Sequence, residues 1–130
     1  MRLFLDTHVA VWATNTPERI PAHIRDMIEE SNGQVSVSVV AVWEIAIKHQ
    51  LGRADAPPLS GYQAIVEFES AGFRLLDVTA AHAAFVERLP PLHADPFDRL
   101  MLAQAVMENM QFVTHDRRLA EYDVALLTWS

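Results

Sequence analysis

An alternation along the chain constrains its fold more than any other feature. Short apolar runs recur between longer segments with helical spacing. Leu3–Asp6 reads as a short buried strand, and Thr7 is the expected cap of a helix running through about Thr14. A second helix is predicted over roughly Ala22–Ser31, ending at Asn32-Gly33. The β-branched stretch Gln34–Val37 predicts a strand. Ser38 then caps a helix over Val39–Leu51, and Gly52 ends it. Ala54–Leu59 is a proline-rich loop, Gly61–Ala71 a helix with Gly72 as its stop, and Phe73–Val78 a third strand. Thr79 caps a helix to about Arg88, and Leu89–Ala94 is a loop. Asp95-Pro96 opens a helix reaching Asn109. Gln111–Val113 is a fourth strand, Asp116–Glu121 a short helix, and Val124–Leu127 a last strand. Strands and helices in turn imply right-handed βαβ units. The expected class is therefore α/β, a mainly parallel central sheet of about five strands flanked by helices. Folds of this kind bind ligands beyond the carboxyl ends of their strands.

The bulk properties narrow the setting. The 130 residues fit one domain over 1–130, and an apolar share of 51% suffices for a core at that length. No apolar run approaches the roughly 20 residues of a membrane span. The opening MRLFLDTHVAVWA begins basic and turns apolar, but Asp6 and His8 interrupt it, so strand-then-helix is a better reading than a signal peptide. The chain has no cysteine, which excludes disulfides and thiolate metal sites and suits a cytoplasmic protein. Its net charge of −7 lacks the basic footprint of most nucleic-acid enzymes. Either carboxylates are gathered where cations offset them, or the protein binds no nucleic acid.

Four acids bear on that choice. Asp6 follows Leu3-Phe4-Leu5 at the carboxyl end of the first strand; a site residue and a helix cap are both open readings. Glu44 lies on a helix beside Val40, Ala41 and Ile47, three or four residues away, and so borders the buried face. An i,i+4 pair with Lys48 explains it equally well. Asp98 heads an apolar stripe of Met101, Leu102 and Ala105, where a carboxylate is costly unless a cation or donors satisfy it. Its structural alternative is the N3 position of a capping box led by Asp95; Asp98 reads as functional and Asp95 as the cap. Asp116 follows the fourth strand much as Asp6 follows the first, and an N-cap is again its alternative. Oxygen-only donors of this sort suit Mg²⁺ or Mn²⁺. Such ions activate water and clamp a phosphodiester. His8, His93 and His115 sit near these acids, but their spacing matches no compact zinc motif. Trp12 and Trp43 fall on apolar stripes and are expected in the core rather than as base-stacking platforms; Trp129 is undetermined.

The stretches LDTH (Leu5–His8), VSVVAVWEIAIK (Val37–Lys48), HADPFDRLMLAQA (His93–Ala105) and VTHDRRL (Val113–Leu119) together resemble the PIN-domain nucleases, in particular the VapC-type toxins of bacterial toxin–antitoxin pairs. They stand in that family's order and span nearly the whole chain. The resemblance implies a PIN-like fold and metal-binding acids at Asp6, Glu44, Asp98 and Asp116. It favours Asp98 over Asp95 because Asp98 starts the D-x-L-x-x-A pattern. It implies Mg²⁺ or Mn²⁺, RNA cleavage, a homodimer and inhibition by a VapB-type antitoxin. Thr114 is then expected to help position water, and Arg53, Arg99, Arg117 and Arg118 to supply local phosphate contacts. Two other functions compete. A receiver or haloacid-dehalogenase-type phosphotransfer protein needs D-x-D or a late lysine, but His8 stands two residues after Asp6 and no lysine follows Lys48. A PIN domain serving only as a binding scaffold would lack one or more of the acids, and all four are present.

Overall fold

The computed structural model of the chain describes residues 2–92, 95–122 and 126–129. Its centre is a five-stranded parallel sheet in the order β3-β2-β1-β4-β5. The strands are β1 (Leu3–Leu5), β2 (Val35–Ser38), β3 (Arg74–Leu76), β4 (Gln111–Val113) and β5 (Leu126–Leu127). Helices α1 (Thr7–Asn15), α2 (Ala22–Glu30), α3 (Val39–Leu51), α4 (Gly61–Ser70), α5 (Ala80–Phe85) and α6 (Pro96–Met107) fill the connections. Short 3-10 turns lie at Pro17–Arg19, Val86–Arg88 and Arg117–Glu121. No helix is long and apolar enough to cross a membrane among the described residues.

β1 is the middle strand, and all three of its residues are fully buried. Side chains alternate across a strand, so it feeds both cores. Leu3 and Leu5 join Val9, Ile24, Val37, Ile45 and Phe68 on one face. Phe4 joins Met101, Leu102, Phe112 and Leu119 on the other. The pairing Phe4↔Phe112 stacks the two rings with centroids 5.4 Å apart. A sheet covered on both faces accounts for strands that read as unbroken apolar runs.

The expected elements are found in order, with three refinements. β3 spans Arg74–Leu76 rather than Phe73–Val78. The helix expected up to Arg88 stops at Phe85 and tightens into a 3-10 turn. The segment between α1 and α2 contains another such turn, begun by Pro17. Gly52 ends α3 at φ 61°, a left-handed conformation that glycine adopts without strain. Of the last strand's predicted residues, 124 and 125 lie outside the described ones, as do His93 and Ala94.

Candidate active site

The chain leaves β1 and enters α1 without a spacer. Asp6, at that junction, is the N-cap: its Oδ1 accepts from Val9 N at 2.8 Å. The sequence offers both Thr7 and Asp6 as the cap. Thr7 is instead the first helical residue, and its hydroxyl donates to Glu44 Oε1 at 2.7 Å. A partner 37 positions away captures that hydroxyl, which leaves the cap to the aspartate. Asp6 N also donates to Val113 O at 3.0 Å, tying the turn to the end of β4.

Asp6 is only 6% exposed. Burial pushes its carboxyl from the usual range near 3.8 up to about 7. The Thr114 hydroxyl and the Val9 amide pull it back down, while the charges of Asp98 and Glu44 push it further up. Two of the other sequence-predicted acids, Glu44 on α3 and Asp98 on α6, are therefore near enough to act on Asp6 at the carboxyl edge of the sheet.

Each acid is held by its own element. Glu44 is buried with Val40, Ala41 and Ile45 on α3, and its Oε2 meets Lys48 Nζ at 2.7 Å. The i,i+4 pair and the link to the Asp6–Thr7 turn thus exist together. Asp95 caps α6, its Oδ1 accepting from Phe97 N at 2.8 Å and Asp98 N at 3.1 Å. Asp98 is half-buried in the first turn, above the buried Met101, Leu102 and Ala105. Asp116 caps the 3-10 turn Arg117–Glu121 and binds the Arg118 guanidinium, with Oδ2–Nη2 at 2.7 Å. That hydrogen bond and the Asp116 charge raise the Arg118 pKa above its ordinary value, and Asp98 and Asp95 add to the effect. Thr114 joins the two strand exits. Its hydroxyl donates to Asp6 Oδ2 and accepts from Asp116 N at 3.0 Å.

Several neighbours depart from expectation. Trp43 is 56% exposed and packs edge-on against Phe97, because α3 buries Val40, Ala41, Glu44 and Ile45 instead. Trp12 is half-buried against the core, as expected. Arg99 is half-buried, and its Nη2 donates to the carbonyls of Val86 and Leu89 at 3.2 and 3.1 Å. Arg53 pairs with Asp55. Sequence reasoning missed the roles of Thr7 and Arg19; the partners of both lie on other helices or turns, and no spacing rule links them.

A divalent cation suits the chemistry of this edge. The donors are carboxylate and hydroxyl oxygens, and the buried Asp6 lies in the field of two further acids. Among the described residues, no three acidic or imidazole groups stand close enough together to enclose one ion. Lys48 pairs with Glu44 and Arg118 with Asp116.

The PIN domain model matches residues 3–125. Ribonuclease VapC22 of Mycobacterium tuberculosis is 31% identical over 123 residues, covering 92% of this chain and 91% of that protein. Two solved structures share the fold over all of both chains. One is VapBC2 from Rickettsia felis bound to a promoter DNA fragment (TM-score 0.71, 17% identity) and the other DNA-bound VapBC from Salmonella typhimurium (TM-score 0.69, 16% identity). With that domain match over nearly its whole length and a homologue such as VapC22, the chain belongs to the PIN-domain family.

Proposed function

We propose that the protein is a divalent-metal-dependent endoribonuclease, the toxin of a VapBC-type pair acting in the cytoplasm, with Asp6, Glu44, Asp98 and Asp116 as its catalytic and metal-binding residues. The observation that carries this reading is the buried Asp6 at the exit of the central strand, in the field of Asp98 and Glu44. Mutually repelling carboxylates at a ligand-binding edge make sense when a cation offsets them. The named homologue, a ribonuclease, supports the activity.

Mg²⁺ or Mn²⁺, when bound, lowers the pKa of water and offsets charge on the phosphodiester. The chain's own residues supply the positioning. Val9 N and the Thr114 hydroxyl fix the two oxygens of Asp6. The N-terminus of α1 stabilises the negative charge there. Thr7 fixes one oxygen of Glu44, and Lys48 holds the other. Asp98, in the first turn of α6, is near enough to act on Asp6, and Asp116 is paired with Arg118. Asp6 and Asp98 are assigned as principal ligands, Glu44 as completing the set or orienting water, and Asp116 as the outermost. The substrate class is single-stranded or looped RNA, since duplex RNA hides its bases.

The test compares wild type, Asp6→Asn and Asp98→Asn on labelled RNA with Mg²⁺, Mn²⁺ or a chelator. Cleavage lost in both variants and in chelator supports the reading; undiminished cleavage in chelator sinks it. The VapBC complexes from Rickettsia and Salmonella support a VapB-type antitoxin partner, and a homodimer is proposed with it from the family resemblance. An antitoxin tail with Arg or Lys over the acidic pocket should silence cleavage. A purified cognate complex that kept full activity would refute that part.

A further inference from the structure

A ring-lined surface adjoins the acids. His8 lies two residues past Asp6 on α1, about 3 Å along the helix axis. His115 stands between Thr114 and Asp116, and both imidazoles are exposed. Trp12, one turn beyond His8, links them: its ring centroid is 6.0 Å from His8, 5.7 Å from His115 and 6.1 Å from Trp129. His115 and Trp129 lie 4.9 Å apart with their planes at 33°. The exposed Arg19 guanidinium sits over the Trp12 ring, 5.5 Å from its centroid. A groove of about 290 Å³ opens between α1 and the Asp55–Pro58 loop, lined by His8, Trp12, Asn15 and Arg19.

A cluster serving the core alone would bury its rings. Here Trp12 and Trp129 rest against the core while the imidazoles and the guanidinium face solvent. Aromatic faces stack on any nucleobase, and a guanidinium beside them suits a phosphate. We infer that this ledge and groove are the subsite for an unpaired nucleobase of RNA flanking the cleaved phosphodiester, with Arg19 meeting a neighbouring phosphate. The inference rests on the endoribonuclease reading and gives it a substrate preference. A base locked in a duplex cannot enter the groove, so RNA with splayed bases is selected. Asp55 also lines the groove, but it is paired with Arg53, so Arg19 still disfavours a basic inhibitor tail. In a chain of net charge −7, phosphate attraction has to be local, and Arg19 supplies it next to the rings.

The test uses the full chain carrying Asp6→Asn, in Mg²⁺, titrated with a short single-stranded oligoribonucleotide. 2-Aminopurine is placed at one position after another along it. Stacking should quench the fluorophore strongly at one or two positions only. His8→Ala and Arg19→Ala, added singly, should abolish that quench and weaken binding about tenfold each. Trp12→Phe should keep most of the quench, since a ring remains. In the chain with Asp6 intact, His8→Ala should raise KM more than it lowers kcat. An abasic nucleotide at the quenched position should copy that change without adding to it. Unquenched fluorophores at all positions on bound RNA, or RNA affinity unchanged in both variants, would overturn the inference. That holds even if the variants lose a protein partner, which would make the groove a peptide site. Quenching that His8→Ala abolishes in a protein that cleaves no RNA would leave the subsite standing and remove the nuclease reading.

Discussion

β1 and β4 lie side by side and end at the same level, Leu5 opposite Val113, and each is followed by a capping aspartate. The two exits nevertheless behave as opposites. Asp6 follows its strand directly, is 6% exposed and, among the described residues, has no basic side chain bound to it; its carboxyl is pushed up to about 7. Asp116 comes three residues after β4, is half-buried, and is clasped by Arg118. The same local device, an aspartate accepting backbone N–H bonds at a helical start, thus has two electrostatic outcomes. Depth decides between them. At the buried exit the cap carries a charge the fold disfavours without a cation, and at the rim an arginine already balances it.

The contrast predicts unequal effects on activity. Asp6→Asn should lower RNA cleavage roughly a hundred- to a thousandfold, the several kcal/mol that a cation clamp contributes. Asp116→Asn should lower it about tenfold at most, given the outer position of Asp116. Single-turnover cleavage under matched metal concentrations measures both, and equal losses would erase the distinction. Stability without metal should show the reverse order. A carboxyl raised from 3.8 to about 7 binds its proton more tightly in the folded state. The folded protein therefore loses stability as pH rises from about 4 to about 7, and the full loss, at most ~4 kcal/mol, persists above that window. The groups facing Asp6 among the described residues are Asp98 on α6 and Glu44 on α3, the latter tied to Lys48, with Thr114 just after β4. Asp6→Asn retains an oxygen for the Val9 amide and removes the charge. Its midpoint in urea should exceed that of wild type by a margin that grows with pH across this window and shrinks when Mg²⁺ is added. A margin independent of pH would mean that the carboxyl is not the cause.

The third expectation concerns the cation that serves Glu44. Lys48 is the partner of an acid only 5% exposed. Lys48→Met keeps the aliphatic stem and leaves the carboxylate uncompensated. The penalty for splitting a buried pair is several kcal/mol, discounted to about 2 because the lysine is partly exposed. Thermal melts with and without Mg²⁺ check this, and Mg²⁺ should recover more of the loss than in wild type. No destabilisation would show that water satisfies Glu44 already.

What the sequence revealed and what it hid divide along the same physical line. Local rules located β1, the Ser38 cap, the left-handed Gly52 and the Asp95 cap, since each depends on residues within one turn. The carboxyl-edge placement of Asp6 followed from strand–helix alternation, and the apolar stripe under Asp98 from helical spacing. Tertiary competition stayed out of view. Thr7 reads as a good cap until Glu44 takes its hydroxyl. Arg99 reads as a solvated cation, yet its Nη2 is held by the carbonyls of Val86 and Leu89. Trp43 reads as core until α3 turns the face bearing Glu44 inward. Trp12 and Trp129 stand 117 positions apart, and only the folded sheet brings their rings together.

The smallest effect should come from the rim. Asp116 accepts from Arg118 N at 3.0 Å and from its guanidinium at 3.0 and 2.7 Å. Asp116→Asn keeps one oxygen for the backbone amide and loses the charge that holds the arginine. The Arg118 side chain is 73% exposed, so solvent and salt screen the pair, and the net loss should be the smallest of the series. Its sign is opposite to that of Asp6→Asn without metal, and its salt dependence differs as well. Raising ionic strength from 0.05 to about 0.5 M should narrow the gap between wild type and Asp116→Asn, because the Debye length falls well below 10 Å. The gap for Asp6→Asn should change far less, because burial and not exposed charge sets it. Urea melts of both variants at the two ionic strengths make the comparison. If both gaps closed equally with salt, the two aspartates would share one electrostatic environment, and depth would not be what separates the two exits.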